Sequence, residues 1–152
     1  MSDEITCLKI KEKCMIENFD KLSFNRKVDV LVAVHVFNIK NITIDFADEI
    51  YWKVCVKSLM REDHISCYST LLTSTWDIVR KFDYLYLFRS KDFKNGQWEC
   101  KLLEQQSVTG NFQKDVYYAW AETEQLAICY AGLKAVGFDV KSFLKEEGKV
   151  HA

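Results

Sequence analysis

The sequence predicts an α+β fold: an antiparallel β-sheet, built from a three-stranded meander with a further hairpin, packed with α-helices. Three observations lead there. Strand-like segments are grouped rather than alternating one by one with helices, the pattern of α+β rather than parallel α/β proteins. Asn95-Gly96 and Gly110-Asn111 mark reversals between three aromatic-rich runs in the second half of the chain. The run Leu126, Ala127, Ile128, Cys129, Tyr130, Ala131, Leu133 is apolar nearly all round, so it reads as a helix buried on more than one side.

The first segment, Asp3 to Phe19, stays open: Ile5, Leu8 and Glu12 fit a helical period, and Leu8, Ile10 and Glu12 partly fit a strand. Ser23 is suited to cap a helix over Asn25–Phe37, with Val28, Leu31, Val32 and His35 as its apolar stripe. Asn38, Lys40 and Asn41 end it. Ile42, Ile44 and Phe46 then alternate with Thr43 and Asp45, and 51–58 alternates likewise, giving two strands joined by a polar turn at Asp48-Glu49. Tyr68-Ser69-Thr70 precedes a helix whose Leu72, Trp76, Val79 and Phe82 recur at helical spacing, with Asp77, Arg80 and Lys81 on the other side. Ser69 or Thr70 is its expected N-cap.

The meander strands are expected over Asp83–Ser90, Gln97–Gln105 and Val116–Ala121. A strict two-residue turn at Asn95-Gly96 would face Phe93 with Trp98, which is favourable, and Asp92 with Glu99, which is not, so the register stays open. Thr123 caps the apolar helix and Gly137 is placed to stop it in the left-handed conformation. Asp139 caps a short last helix through Lys145, with Gly148 ending it.

At 152 residues with 49% hydrophobic and 28% charged residues, the chain is expected to be one globular domain, 1–152. A net charge of −1 lacks the basic footprint of a dedicated nucleic-acid binder, so duplex nucleic acid is not an expected partner. Apolar runs such as Val30 to Val34 are far short of the roughly 20 residues that span a bilayer, so no membrane is expected. Met1-Ser2-Asp3-Glu4 has neither the basic nor the apolar region of a signal peptide. Six cysteines without a C-x-x-C pair, and three histidines at no ligand spacing with them, read as free thiols in a reducing cytoplasm rather than as a disulfide frame or zinc site. With no proline and five glycines, no Gly-rich phosphate loop can be assembled, and no cofactor is expected.

Four segments together resemble the phage ABA-sandwich domain, a small layered α/β domain of bacteriophages and prophages. They are Arg26-Lys27-Val28-Asp29-Val30-Leu31-Val32-Ala33; Tyr68-Ser69-Thr70 with 75–81 after it; Trp98; and Ala121 to Ala135, which is similar to that family's Thr-x-x-x-Ala-Ile-Cys-x-Ala-x-Leu-Lys-Ala helix. The resemblance covers residues 23–137, leaving 1–22 as an N-terminal extension and 138–152 as a short helix and tail. Asn38 to Cys67 does not match. The resemblance implies an α/β/α-type sandwich with helices on both faces of the sheet. It also implies a phage or prophage origin, hence a location in the host cytoplasm, and no particular activity.

Candidate catalytic groups are sparse. His64 precedes Cys67 by three residues, and Ser69 and Thr70 are hydroxyl nucleophiles, but no nucleophile elbow or H-E-x-x-H is present, so no enzyme is expected. Asp45, Asp48 and Glu49 read as a solvated turn rather than a metal site. The strand aromatics are more distinctive. Rows of aromatics beside basic residues can stack a nucleobase and hold a phosphate. The expected ligand residues are Arg89, Lys91, Trp98, Tyr118 and Trp120. The function expected is a non-enzymatic phage accessory protein that counters host defence by sequestering a nucleotide signal. The alternative is an interaction module for a host or phage protein; self-association stays open.

Overall fold

The computed structural model describes residues 16–47, 51–58, 61–82, 84–89, 97–104 and 115–149. In order these hold a 3-10 turn Phe19–Lys21, helix α1 Phe24–Leu31 widening into a π turn Val32–Val36, and strands β1 Ile42–Ala47, β2 Tyr51–Ser58 and β3 Arg61–His64. Helix α2 Leu72–Val79, strands β4 Tyr84–Arg89, β5 Trp98–Glu104 and β6 Asp115–Ala121, and helices α3 Glu124–Ala135 and α4 Val140–Glu146 follow. The α+β class and the antiparallel meander are as expected: β4-β5-β6 form one three-stranded sheet and β1-β2-β3 another.

The helix caps follow local chemistry. Ser23 Oγ accepts from Arg26 N–H at 3.4 Å, Thr123 Oγ1 from Leu126 N–H at 3.2 Å, and Asp139 Oδ1 from Ser142 N–H at 3.0 Å. Each satisfies a first-turn amide that the helix itself leaves without an acceptor. Gly137, at φ 85°, ends α3; its N–H reaches Lys134 O at 3.0 Å, and the Phe138 N–H reaches Leu133 O at 3.0 Å. The expected stop after α1 is also met: Asn38 and Asn41 both adopt positive φ.

Three expectations need correction. First, the hairpin β1–β2 gains a third strand, Arg61–His64, in a stretch to which the sequence assigns no strand. It carries no apolar alternation; pairing with β2 supplies the order that its own side chains do not signal. Second, α2 is capped by neither Ser69 nor Thr70: Leu71 is the N-cap residue, without a side-chain bond. Third, Leu72 and Trp76 of its expected core stripe are 40% and 43% exposed, while Thr75 and Ile78 are buried. Thr75 can be buried because its hydroxyl donates to Tyr68 O at 2.6 Å and is also 3.0 Å from Leu71 O. The β4–β5 register, left open by the sequence, sets Arg89 opposite Trp98. The turn residues 48–49, 95–96 and 110–111 lie outside the described residues.

Helix α3 is the centre of the molecule. It packs on β5 and β6 on one side and on α2, the π turn and α4 on others. Every residue from Leu126 to Leu133 is buried. Gly132 permits the close crossing with α2, since a Cβ there would lie 2.8 Å from Ile78 Cγ2. Ile44 and Val54 of the first sheet join the same apolar core. On the meander, Cys100, Leu102, Ala119 and Ala121 are buried on the side of α3. On the other side, Val116 and Tyr118 are 36% and 43% exposed, so the covering expected on both faces is not met at these positions.

Candidate functional site

Strand alternation separates the five expected ligand residues. Trp98 stands opposite Ala121 and is packed against the core. Tyr118 and Trp120 stand opposite Lys101 and Glu99, one register step out of phase, hence on the other face. Lys101 Nζ lies 5.5 Å from the Tyr118 ring centroid. Lys134 Nζ lies 6.0 Å from the Trp120 ring and donates to Tyr118 O at 2.9 Å. Arg89 is placed by its backbone opposite Trp98, and Lys91 is outside the described residues. The structure therefore brings Tyr118 and Trp120 together and does not bring Trp98 to them.

The catalytic candidates have other partners. His64 Nδ1 lies 3.9 Å from Cys55 Sγ, across β2 and β3, while Cys67 Sγ accepts from Arg26 Nη1 at 3.7 Å. The Ser69 hydroxyl donates to Asn25 O at 2.9 Å. Cys55, Cys67, Cys100 and Cys129 are free thiols. Burial pushes the Cys100 thiol up to about 12 and Cys129 upward as well, away from reactivity at neutral pH. Among the described residues no group of three His, Cys, Asp or Glu could hold a metal ion, and no helix is long and apolar enough to cross a membrane. Asp48 and Glu49 lie outside those residues.

A concavity among the described residues lies elsewhere. A cavity of about 450 Å³ opens where the start of α1 meets the start of α3. Ser23, Phe24 and Asn25 line it at the entry to α1, Glu122, Thr123, Gln125 and Leu126 at the entry to α3, Ser69 and Thr70 from the segment before α2, and Lys149 from the turn after α4. Each wall has a local cause. The caps Ser23 and Thr123 start both helices at this point. The turn after α4, closed by Lys149 N–H on Leu144 O at 2.7 Å, brings Lys149 Nζ to 4.9 Å from the Phe24 ring centroid. Phe24 in turn stacks on Phe143, with centroids 5.8 Å apart. Lys27 Nζ donates to both oxygens of Glu147 at 2.9 Å, tying α1 to that same turn.

Chemically this cavity offers an aromatic ring, hydroxyls, two amide side chains, one ammonium and one carboxylate. Its size lies within the roughly 300–1,000 Å³ of small-molecule sites. Sequence reasoning found Ser23 and Thr123 as caps and Ser69 and Thr70 as hydroxyls, but not their convergence; Phe24, Glu122 and Lys149 carried no sequence signal at all. A second cavity of about 370 Å³, lined by Val36, Lys81, Phe82, Ala135 and Val136, sits at the opposite ends of these helices. Lys81 there donates to Val36 O at 2.8 Å.

Compared with protein-family models, curated proteins and solved structures, the chain has no significant match.

Proposed function

We propose that this chain is a small non-enzymatic accessory protein of phage or prophage origin that binds and holds a nucleotide signal, and so counters host defence. The observation that carries the binding reading is the 450 Å³ cavity between the starts of α1 and α3. Lys149 supplies a charge for a phosphate, and Thr70, Thr123 and Gln125 hydrogen-bonding groups for sugar or base. The resemblance to the phage domain supports the origin and the host cytoplasm as location. The ligand site moves, in this reading, from the sheet aromatics to the cavity.

The test is a thermal-shift and native mass-spectrometry screen against mononucleotides and cyclic nucleotides. A ligand at 100 times its Kd stabilises by about 2.7 kcal/mol, a rise of roughly 5–10 °C in Tm for a domain of this size. Lys149→Gln and Thr70→Val should abolish most of that shift, and Tyr118→Ala should leave it. The reverse pattern returns the ligand to the sheet. No shift with any nucleotide removes the reading and favours the alternative, an interaction module, for which the observation is exposed Leu72 and Trp76 one turn apart on α2 with Leu71 beside them.

A further inference from the structure

We propose that Arg26 and Asp29 form a latch that positions the Ser69–Thr70 wall of the cavity without touching what the cavity holds; the proposal rests on the reading of that cavity as the binding site. Both residues sit on α1, three apart, and both reach across forty residues of chain. Asp29 is 2% exposed, and each of its oxygens is used. Oδ2 accepts from Arg26 Nη1 at 2.9 Å, and Oδ1 accepts from the Ser69 N–H at 2.7 Å. The Arg26 guanidinium then gathers acceptors from three consecutive residues: Ile65 O at 2.6 Å, Ser66 O at 3.2 Å and Cys67 Sγ at 3.7 Å.

The segment 65–69 is thus suspended from α1 by a charged pair. A buried ion pair is a poor way to gain stability, because desolvation offsets most of its attraction. What this pair supplies is geometry. The residue it fixes, Ser69, lines the cavity, and its hydroxyl is handed to the carbonyl of Asn25, which lines it too. The next residue, Thr70, is held by its N–H on Cys67 O at 3.2 Å, so it inherits the position of the latched segment. Neither Arg26 nor Asp29 lines the cavity. They are positioning residues, and they join two of the segments that carried the family resemblance, one on α1 and one at Tyr68-Ser69-Thr70.

Two measurements test the latch. The first is native-state hydrogen exchange of the unliganded protein at the Ser69 amide, with Ala131 in α3 as the reporter of global stability. In Arg26→Met and in the milder Asp29→Asn, exchange at Ser69 should accelerate at least about tenfold more than exchange at Ala131. The second is nucleotide affinity. Both variants should bind about tenfold more weakly, within the usual range of coupling between sites, whereas Lys149→Gln should weaken binding with Ser69 exchange unchanged. Wild-type exchange at Ser69 in both variants overturns the latch, whatever the ligand. Fast exchange with unaltered affinity overturns its role in binding. If Ala131 accelerates in step with Ser69 in both, the pair is a global stabiliser and the proposal fails. A wild-type protein that binds no nucleotide defeats the functional reading and this role in binding together, while the exchange experiment still decides whether the pair holds the segment.

Discussion

Helices α1 and α3 are both buried along most of their length, yet they are held by different forces. Helix α3 sets eight consecutive residues, Leu126 to Leu133, into the core, and their one ionisable pair is a neutral thiol and a neutral phenol. Burial pushes both Cys129 and Tyr130 upward, which keeps them uncharged. Helix α1 buries Val28, Val30 and Leu31 but takes Lys27 and Asp29 inside with them. Each charge is met by a partner: Glu147 for Lys27, Arg26 and the Ser69 amide for Asp29. A dry helix needs only shape from its neighbours. A helix with buried charges dictates where specific distant atoms must stand, and α1 uses that to hold both the 65–70 segment and the turn after α4 around one cavity.

The contrast can be broken most severely on the dry side. Ala131→Glu places a carboxyl group at a fully buried position, and its expected outcome is loss of the folded protein by circular dichroism, since burying it costs an amount comparable to a domain's reserve of about 5–15 kcal/mol. On the charged side, Asp29→Ala removes the carboxylate partner of Arg26 and the acceptor of the Ser69 amide. Urea unfolding should show a loss of about 3–5 kcal/mol; a loss under about 1 kcal/mol would mean that the two helices are held by the same forces after all. Leu133→Ala deletes a fully buried side chain of α3 and should cost about 2–5 kcal/mol. If Leu133→Ala kept its unfolding midpoint and lost nucleotide binding, α3 would be a lining element rather than a packing one.

The pH dependence sharpens the comparison because burial raises one group on each side, and the two act in different pH windows. Cys100, facing α3 from β5, is held up to about 12 by burial against an ordinary 9.0. The folded state thus favours the neutral thiol, and that stabilisation is whole below pH 9 and lost as pH rises from 9 toward 12. The urea midpoint should fall over that window, and Cys100→Ala should flatten the fall. Asp29 is also raised above its ordinary 3.8, chiefly by burial and against the pull of Ser69 and Arg26. There the charged form is the one the fold disfavours. Acidification through its raised value toward 3.8 therefore relieves a cost, and Asp29→Asn should remove that gain on the acid side while leaving the alkaline fall in place.

The smallest effect is local. Thr123→Ala removes the cap of α3 and should cost about 0.5–2 kcal/mol. A change within about 0.2 kcal/mol would show that tertiary packing alone fixes where α3 begins.

What the chain determined by itself is what lies within a few residues of its cause. Ser23, Thr123 and Asp139 bond an amide three residues on, so a cap is readable wherever a suitable side chain precedes an apolar period. The alternation of Ile42, Ile44 and Phe46, the apolar run of α3 and the stop at Gly137 are local in the same sense, and all appear where the sequence puts them. Tertiary structure decided the rest, because the deciding partners are far apart in the chain. Strand β3 exists through pairing with β2, and Thr75 rather than Leu72 faces the core of α2 because the Tyr68 carbonyl waits for its hydroxyl. Trp98 parts from Tyr118 and Trp120 because the β5–β6 register, not the residue types, assigns their faces. The cavity is the extreme case. Its walls come from four segments between Ser23 and Lys149, and no period, cap or motif in any one of them records that a buried carboxylate on α1 would hold the Ser69 wall in place.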